Sequence, residues 1–152
     1  MIAARVVAAL PLAPRPDPTH LPPDESPTMP STDTLERFIA RVEENAHAEA
    51  IEEFYTAFAS MQENQKPPRV GRDQLVERER RVLARAKSLR SRCIRPVFVD
   101  GNHVVLRWKF EFEWLDGTRT TLEELAYQRW DGERIDEEQF FYDPAQAVPS
   151  KA

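Results

Sequence analysis

The sequence predicts an α+β fold, with helices packed on one face of a curled antiparallel sheet. Three observations carry that expectation. Apolar residues follow helical spacing from Thr34 onward. Three turn signals containing Asp-Gly punctuate the second half, at residues 100–102, 116–117 and 131–132. Between the turns, apolar and polar residues alternate as they do along strands.

The first helical stripe is Leu35, Phe38, Ile39, Val42 and Ala46, with Ser31, Thr32 or Asp33 available as its cap. A second stripe runs His47, Ala50, Ile51, Phe54 and Phe58, and ENAHA marks a bend, since Asn45 is a poor interior residue. ASMQEN then reads as a short strand. QKPPRVGRD cannot be regular structure, because Pro67 and Pro68 are adjacent. A third helix is expected from Asp73 to about Ala86, with the stripe Leu75, Glu79, Val82, Leu83 and Ala86, in which Glu79 is an imperfection. Four long strands complete the chain: CIRPVFV, HVVLRWKFEFEW, TRTTLEELAYQRW and ERIDEEQFFYD.

Alternation assigns faces. On the second of these strands Val104, Leu106, Trp108, Phe110, Phe112 and Trp114 share one side, joined by Val97 and Val99 across the turn. The opposite side, with Ile94, Phe98, Val105, Arg107, Lys109 and Glu111, is mixed. The last two strands allow two registers, because a slip of one residue exchanges their faces. In one, Leu125, Tyr127, Glu138, Phe140 and Tyr142 point inward. In the other, Leu122, Glu124, Ala126, Gln128 and Trp130 do so, with Ile135, Gln139 and Phe141. The first is favoured for the last strand.

Bulk properties narrow the class. The chain has 152 residues, 41% hydrophobic and 31% charged, enough for one soluble domain with a core. No apolar run reaches the roughly 20 residues of a membrane helix. A net charge of −5 argues against a general nucleic-acid binder. The single cysteine, Cys93, cannot form an internal disulfide and fits a reducing, cytoplasmic setting. No CxxC or Cys/His cluster suggests a metal.

Eight of the 13 prolines lie before residue 31. Residues 1–31 are therefore expected to be a disordered Pro-rich extension, with Met29 as an alternative start of translation. The opening MIAARVVAALPLA has only a faint likeness to a signal peptide, since Pro11 breaks its apolar run. Residues 34–146 form the domain, and 147–152 are expected to trail as a flexible tail. Charge is uneven. Residues 73–95 hold eight basic against three acidic residues, and residues 111–143 hold eleven acidic against three basic. The basic stretch ERERRVLARAKSLRSR lacks interleaved aromatics, so it is read as a solvated helix face with pairs such as Glu77–Arg81 rather than as an RNA surface.

The order of these elements resembles the SnoaL-like group of the NTF2-like superfamily. The resemblance rests on the paired N-terminal helices, the strand ASMQEN, the loop-to-helix stretch PPRVGRDQLVE and the closing RWDGERIDEEQFFYD. It implies a cone-shaped α+β barrel whose curved sheet wraps a pocket, in a homodimer packed through the outer sheet face. It implies no metal and no organic cofactor. Members of the group include polyketide cyclases, ketosteroid isomerases, dehydratases, epoxide hydrolases and proteins without known activity, so the fold alone assigns no reaction.

Within that frame the aromatic strand lines either plain core or a cavity for a small apolar or polycyclic ligand. The cavity reading takes Trp108, Phe110, Phe112, Leu125, Tyr127 and Phe140 as lining, together with Tyr55, Met61, Gln62 and Asn64. Glu138 alternates with Phe140 and Tyr142, and a carboxyl on an aromatic wall would have its pKa raised. It is the foremost candidate for acid/base work, unless it is exposed and paired with Arg129 or Arg134. Glu63 is a second candidate or a rim residue, and Tyr142 or Tyr127 could donate to an oxyanion. His103, beside a turn, is expected to be exposed, and His47 structural. Epoxide-hydrolase-like relatives carry an aspartate where this chain has Phe140, and dehydratase-like relatives use pocket histidines, so no complete known catalytic set assembles. Two functions remain: a cofactor-free isomerase, cyclase or dehydratase, and a non-catalytic ligand-binding or protein-interaction module.

Overall fold

The computed structural model describes residues 29–151. The expected disordered extension, residues 1–31, lies outside them except for its last three residues, and the likeness to a signal peptide lies outside them too. Three helices, α1 (Thr32–Glu43), α2 (His47–Phe54) and α3 (Arg72–Leu83), precede or interrupt the strands. The strands are β1 (Tyr55–Glu63), β2 (Arg69–Val70), β3 (Ala86–Asp100), β4 (His103–Trp114), β5 (Thr118–Asp131), β6 (Arg134–Phe141) and β7 (Ser150–Lys151). They form one sheet in the order β2-β1-β6-β5-β4-β3, with β7 on the start of β5. Only β1 and β6 pair parallel. The fold is α+β, as the turn signals predict. Among the described residues no helix is long and apolar enough to cross a membrane.

Ser31 caps α1, its hydroxyl accepting from the Thr34 amide at 3.1 Å. The helix buries Leu35, Phe38, Ile39 and Val42 against the sheet. The Phe38 ring meets Phe54, Tyr55, Trp108 and Trp130 edge-on, at 5.6–6.3 Å between centroids. This cluster joins two helices to the inner faces of β4 and β5.

Besides Arg69 and Val70 of QKPPRVGRD, which form β2 against Met61 and Ser60 although irregular structure was expected there, four expectations need correction. The second helix ends at Phe54, and strand begins at Tyr55. Tyr, Thr and Phe favour the pleated surface that Tyr55–Glu63 occupies, and the Phe58 side chain is 84% exposed on the outer side rather than buried on a helix. The basic stretch is split likewise. The helix stops at Leu83, and residues 86–92 belong to β3, pairing with Lys109–Trp114. There the alternation of Leu89, Ser91 and Cys93 overrides the helical pattern. The expected tail carries β7, whose Ser150 and Lys151 pair with Arg119 and Thr118.

The fourth correction concerns register. Around the turn at Gly132, where φ is +58°, Asp131 pairs with Arg134 and Trp130 with Ile135. Continued regularly, that register would set Tyr127 opposite Glu138. Instead Arg129 pairs with Glu137 and Gln128 with Glu138, leaving Asp136 as the extra residue of a β-bulge. The Arg129 guanidinium spans the bulge, binding Asp136 at 2.6 Å and Glu137 at 2.9 Å. Ile135 and Glu138, three residues apart, thus both face inward. Each of the two registers considered from the sequence is half right. Thr120, Glu124, Ala126, Gln128 and Trp130 are buried on β5, while Glu138 is buried on β6 with Phe140 on the same side.

Candidate functional site

Between the helices and the inner sheet face lies a cavity of about 300 Å³. That is the size of a small-molecule site. The wall on β4 consists of Trp108, Phe110, Phe112 and Trp114, joined by Phe38 from α1 and Phe140 from β6. Trp108 stacks on Phe110 at 5.8 Å, and Phe112 on Trp114 at 4.6 Å. The aromatic strand therefore serves both purposes: Trp108 belongs to the core and also borders the cavity, and its neighbours line the space.

Glu138 lies on this wall, 3% exposed. Its Oε2 accepts the Tyr55 hydroxyl, and its Oε1 accepts the Gln128 amide at 2.6 Å. Gln128 is oriented in turn by the Trp130 indole N–H, which donates to Gln128 Oε1 at 3.0 Å. Burial pushes the Glu138 carboxyl up to about 7, while its two donors pull the other way. Tyr55 is held well above its ordinary value by burial and by Glu138 beside it, so it remains a donor. Both residues come from element ends. Tyr55 is where α2 becomes β1, and Glu138 follows the bulge.

Glu124, on β5 directly across from Trp108, is a second buried carboxyl. Burial, reinforced by the nearby Glu138, pushes it up to about 8. It lines the cavity, and among the described residues no hydrogen bond or ion pair reaches it.

The helices add a third polar group. His47 Nδ1 lies 3.1 Å from Glu79 Oε1, and His47 Nε2 2.7 Å from Ser91 Oγ, which donates to Asn45 Oδ1 at 2.9 Å. The imidazole meets the Phe110 ring at 5.3 Å. His47 and Glu79 both line the cavity. Glu63, from the end of β1, lines it too and binds Arg69 at 3.4 Å. Tyr142 joins them, its hydroxyl pushed up mainly by burial.

Of the residues expected at the site, the structure gathers Glu138, Glu63, Tyr142, Tyr55, Met61, Trp108, Phe110, Phe112 and Phe140 around the cavity. Four stand elsewhere. Leu125 and Tyr127 are 46% and 44% exposed on the outer face, because the bulge uncouples them from Glu138. Gln62 points away from the Met61 and Glu63 side of β1. Asn64, at φ +48°, uses its side chain to accept the Tyr142 amide at 3.1 Å, tying β1 to the end of β6.

His47, Glu79 and Glu124 line the cavity and Gln128 holds Glu138, although none of the four was among the site residues expected from the sequence. Glu79 had a readable signal: an acid inside an apolar helical stripe needs a partner or a cavity. His103 lies at a sheet end as expected, but is half-buried rather than exposed, stacked on Tyr127. Among the described residues no group of three or more His, Cys, Asp or Glu is arranged to hold a metal ion.

Comparison with known proteins places this geometry in a family. The model of the SnoaL-like domain family matches residues 35–138. No curated protein matches the chain. Among solved structures, an NTF2-like protein of unknown function from Burkholderia pseudomallei superposes with a TM-score of 0.65 at 12% identity, covering 76% of this chain and 92% of that one. An LEH-like epoxide hydrolase of M. tuberculosis gives 0.62 at 14% identity, covering 75% and 83%. TerC, co-crystallised with polyporic acid, gives 0.62 at 15% identity, covering 74% and 91%. At such identities these structures share a fold with this chain, and no more. With its family match spanning more than half its length, the chain belongs to the SnoaL-like domain family and has the NTF2-like fold.

Proposed function

We propose that the protein binds a flat, largely apolar small molecule in this cavity and acts on it by cofactor-free acid/base chemistry, as an isomerase, cyclase or dehydratase would. The observation that carries the reading is Glu138, a carboxyl buried on an aromatic cavity wall and fixed by Tyr55 and Gln128. A group pushed up to about 7 exchanges protons near neutrality, which suits a general base or acid. Each of its oxygens retains a lone pair beyond the one its donor occupies. Tyr142 and Glu63 stand at the same cavity as candidate donor and second acid. That TerC, which shares the fold, was co-crystallised with polyporic acid supports a small-molecule ligand.

We take the functional unit to be a homodimer formed through the outer sheet face. Phe98, Leu125, Tyr127 and Phe141 are exposed there without apolar cover. The lone buried cysteine fits a cytoplasmic location.

A second reading is a non-catalytic ligand-binding or interaction module. It is favoured by the closure of the Trp130–Gln128–Glu138–Tyr55 chain, in which every member already has a partner. A thermal-shift screen of aromatic ketones, quinones and hydroxy acids tests both. A compound that raises Tm supports the cavity as a binding site. Turnover of that compound by the wild type, lost in Glu138→Gln with binding retained, supports chemistry. Binding with no turnover supports the module, and a cavity that no compound occupies overturns the proposal.

A further inference from the structure

Acidic side chains outnumber the basic ones around the cavity, the latter being Arg69, Arg78 and His47. Four carboxyls line it: Glu63, Glu79, Glu124 and Glu138. Glu63 has Arg69, and Glu79 has His47. Glu138 has two neutral donors, Tyr55 and Gln128. Glu124 has no hydrogen-bond or ion-pair partner among the described residues, although its side chain faces the cavity and the residue is only 8% exposed. Among the described residues no fully enclosed side-chain oxygen lacks a partner, so the Glu124 carboxyl opens onto the cavity, where a cation or donor on a ligand can reach it. Around it are ring surfaces whose negative faces attract cations. Trp108 is its direct cross-strand neighbour, and Phe110 lies next along the same face of β4.

We propose that the ligand is an organic cation, an amine carried on an apolar or aromatic frame, with its ammonium group at Glu124. This rests on the cavity being a small-molecule site, as argued above, and adds the ligand's charge. The ammonium would give Glu124 its missing donor. The frame would lie along Phe110, Phe112 and Phe140, within reach of Glu138. The arrangement disfavours carboxylate ligands, because an anion would meet Glu124 and Glu138 together.

Matched pairs of probes separate charge from shape. Phenethylamine is compared with phenethyl alcohol, and phenylbutylamine with phenylbutanol, each by titration calorimetry against the full chain. The amine is expected to bind at least about tenfold more tightly than its alcohol, as a charge-assisted bond in a dry site would give. Glu124→Gln keeps a hydrogen-bond acceptor and a similar shape but removes the charge. It is expected to erase the amine's advantage and leave alcohol binding in place. An alcohol that binds as well as its amine overturns the cation and leaves the cavity reading standing. So does an amine advantage that survives Glu124→Gln. If neither series binds the wild type, the cavity reading falls and the cation with it. The wild-type comparison decides the matter should the variant not fold.

Discussion

Tyr55 and Glu138, 83 residues apart, share a buried hydrogen bond that links the end of the helical layer to the last long strand. The donor stabilises the ionised carboxyl, so removing it makes ionisation harder. Tyr55→Phe is expected to raise the Glu138 pKa above about 7 and to cost about 1–3 kcal/mol of stability, more at pH 8 than at pH 6. Carboxyl NMR titration and urea unfolding at the two pH values check it. An unchanged Glu138 titration would show that the hydroxyl does not influence the acid.

Glu138 and Glu124 set a pH dependence of a definite sign. Their folded values, about 7 and about 8, lie above the ordinary 4.5, so the folded state holds protons that the unfolded state releases. The stability they contribute is complete below about pH 4.5 and is lost as pH rises through 7 and 8. Glu124→Gln should therefore gain on the wild type as pH rises from 5 to 8, and flatten the profile over that range. The difference between the two unfolding curves isolates this group from the surface carboxylates. Parallel profiles would contradict the burial of the charge.

Cys93 is buried on the inner side of β3 and its thiol is pushed up to about 11 by burial. Thiolate, the reactive form, is then scarce at neutral pH. Alkylation by iodoacetamide should be slow in the native protein and rapid in urea. Rapid native labelling would mean that β3 opens locally.

The exposed apolar residues on the mixed outer face predict self-association. Leu125 and Phe141 are direct cross-strand partners there, and Tyr127 stacks on His103. Leu125→Arg is expected to shift the protein from dimer to monomer in sedimentation analysis while leaving the cavity unaltered, since this side chain points away from it. A wild type that is monomeric at high concentration would refute the dimer.

The fold was legible because its signals are local. Asp-Gly turns set the hairpins, and the period-two run from Val104 to Trp114 set a face that tertiary packing left unchanged. The boundaries were harder. Phe58 continues a helical stripe on paper, yet the chain is already strand at Tyr55. KSLRSR looks like a charged helix end until Leu89 pairs with Phe112. Half of the site was hidden for one reason: Glu124 and Gln128 face inward together with Glu138 only if one strand carries an extra residue, and alternation cannot reveal that. His47 and Glu79 lie 32 residues apart on separate helices, so only the packed molecule brings them together.

The extra residue at Asp136 has an evolutionary corollary. Removing it would let Ile135, Glu137 and Glu138 alternate regularly, and Glu138 would keep its place opposite Gln128. Straightening the strand with all residues retained would turn the acid to the outside, opposite Tyr127. Loss of the bulge with every residue retained, rather than a substitution at Glu138 itself, is thus what would carry this carboxyl from one side of the sheet to the other. Gapless alignment of relatives would compare residues that sit on opposite sides of the sheet.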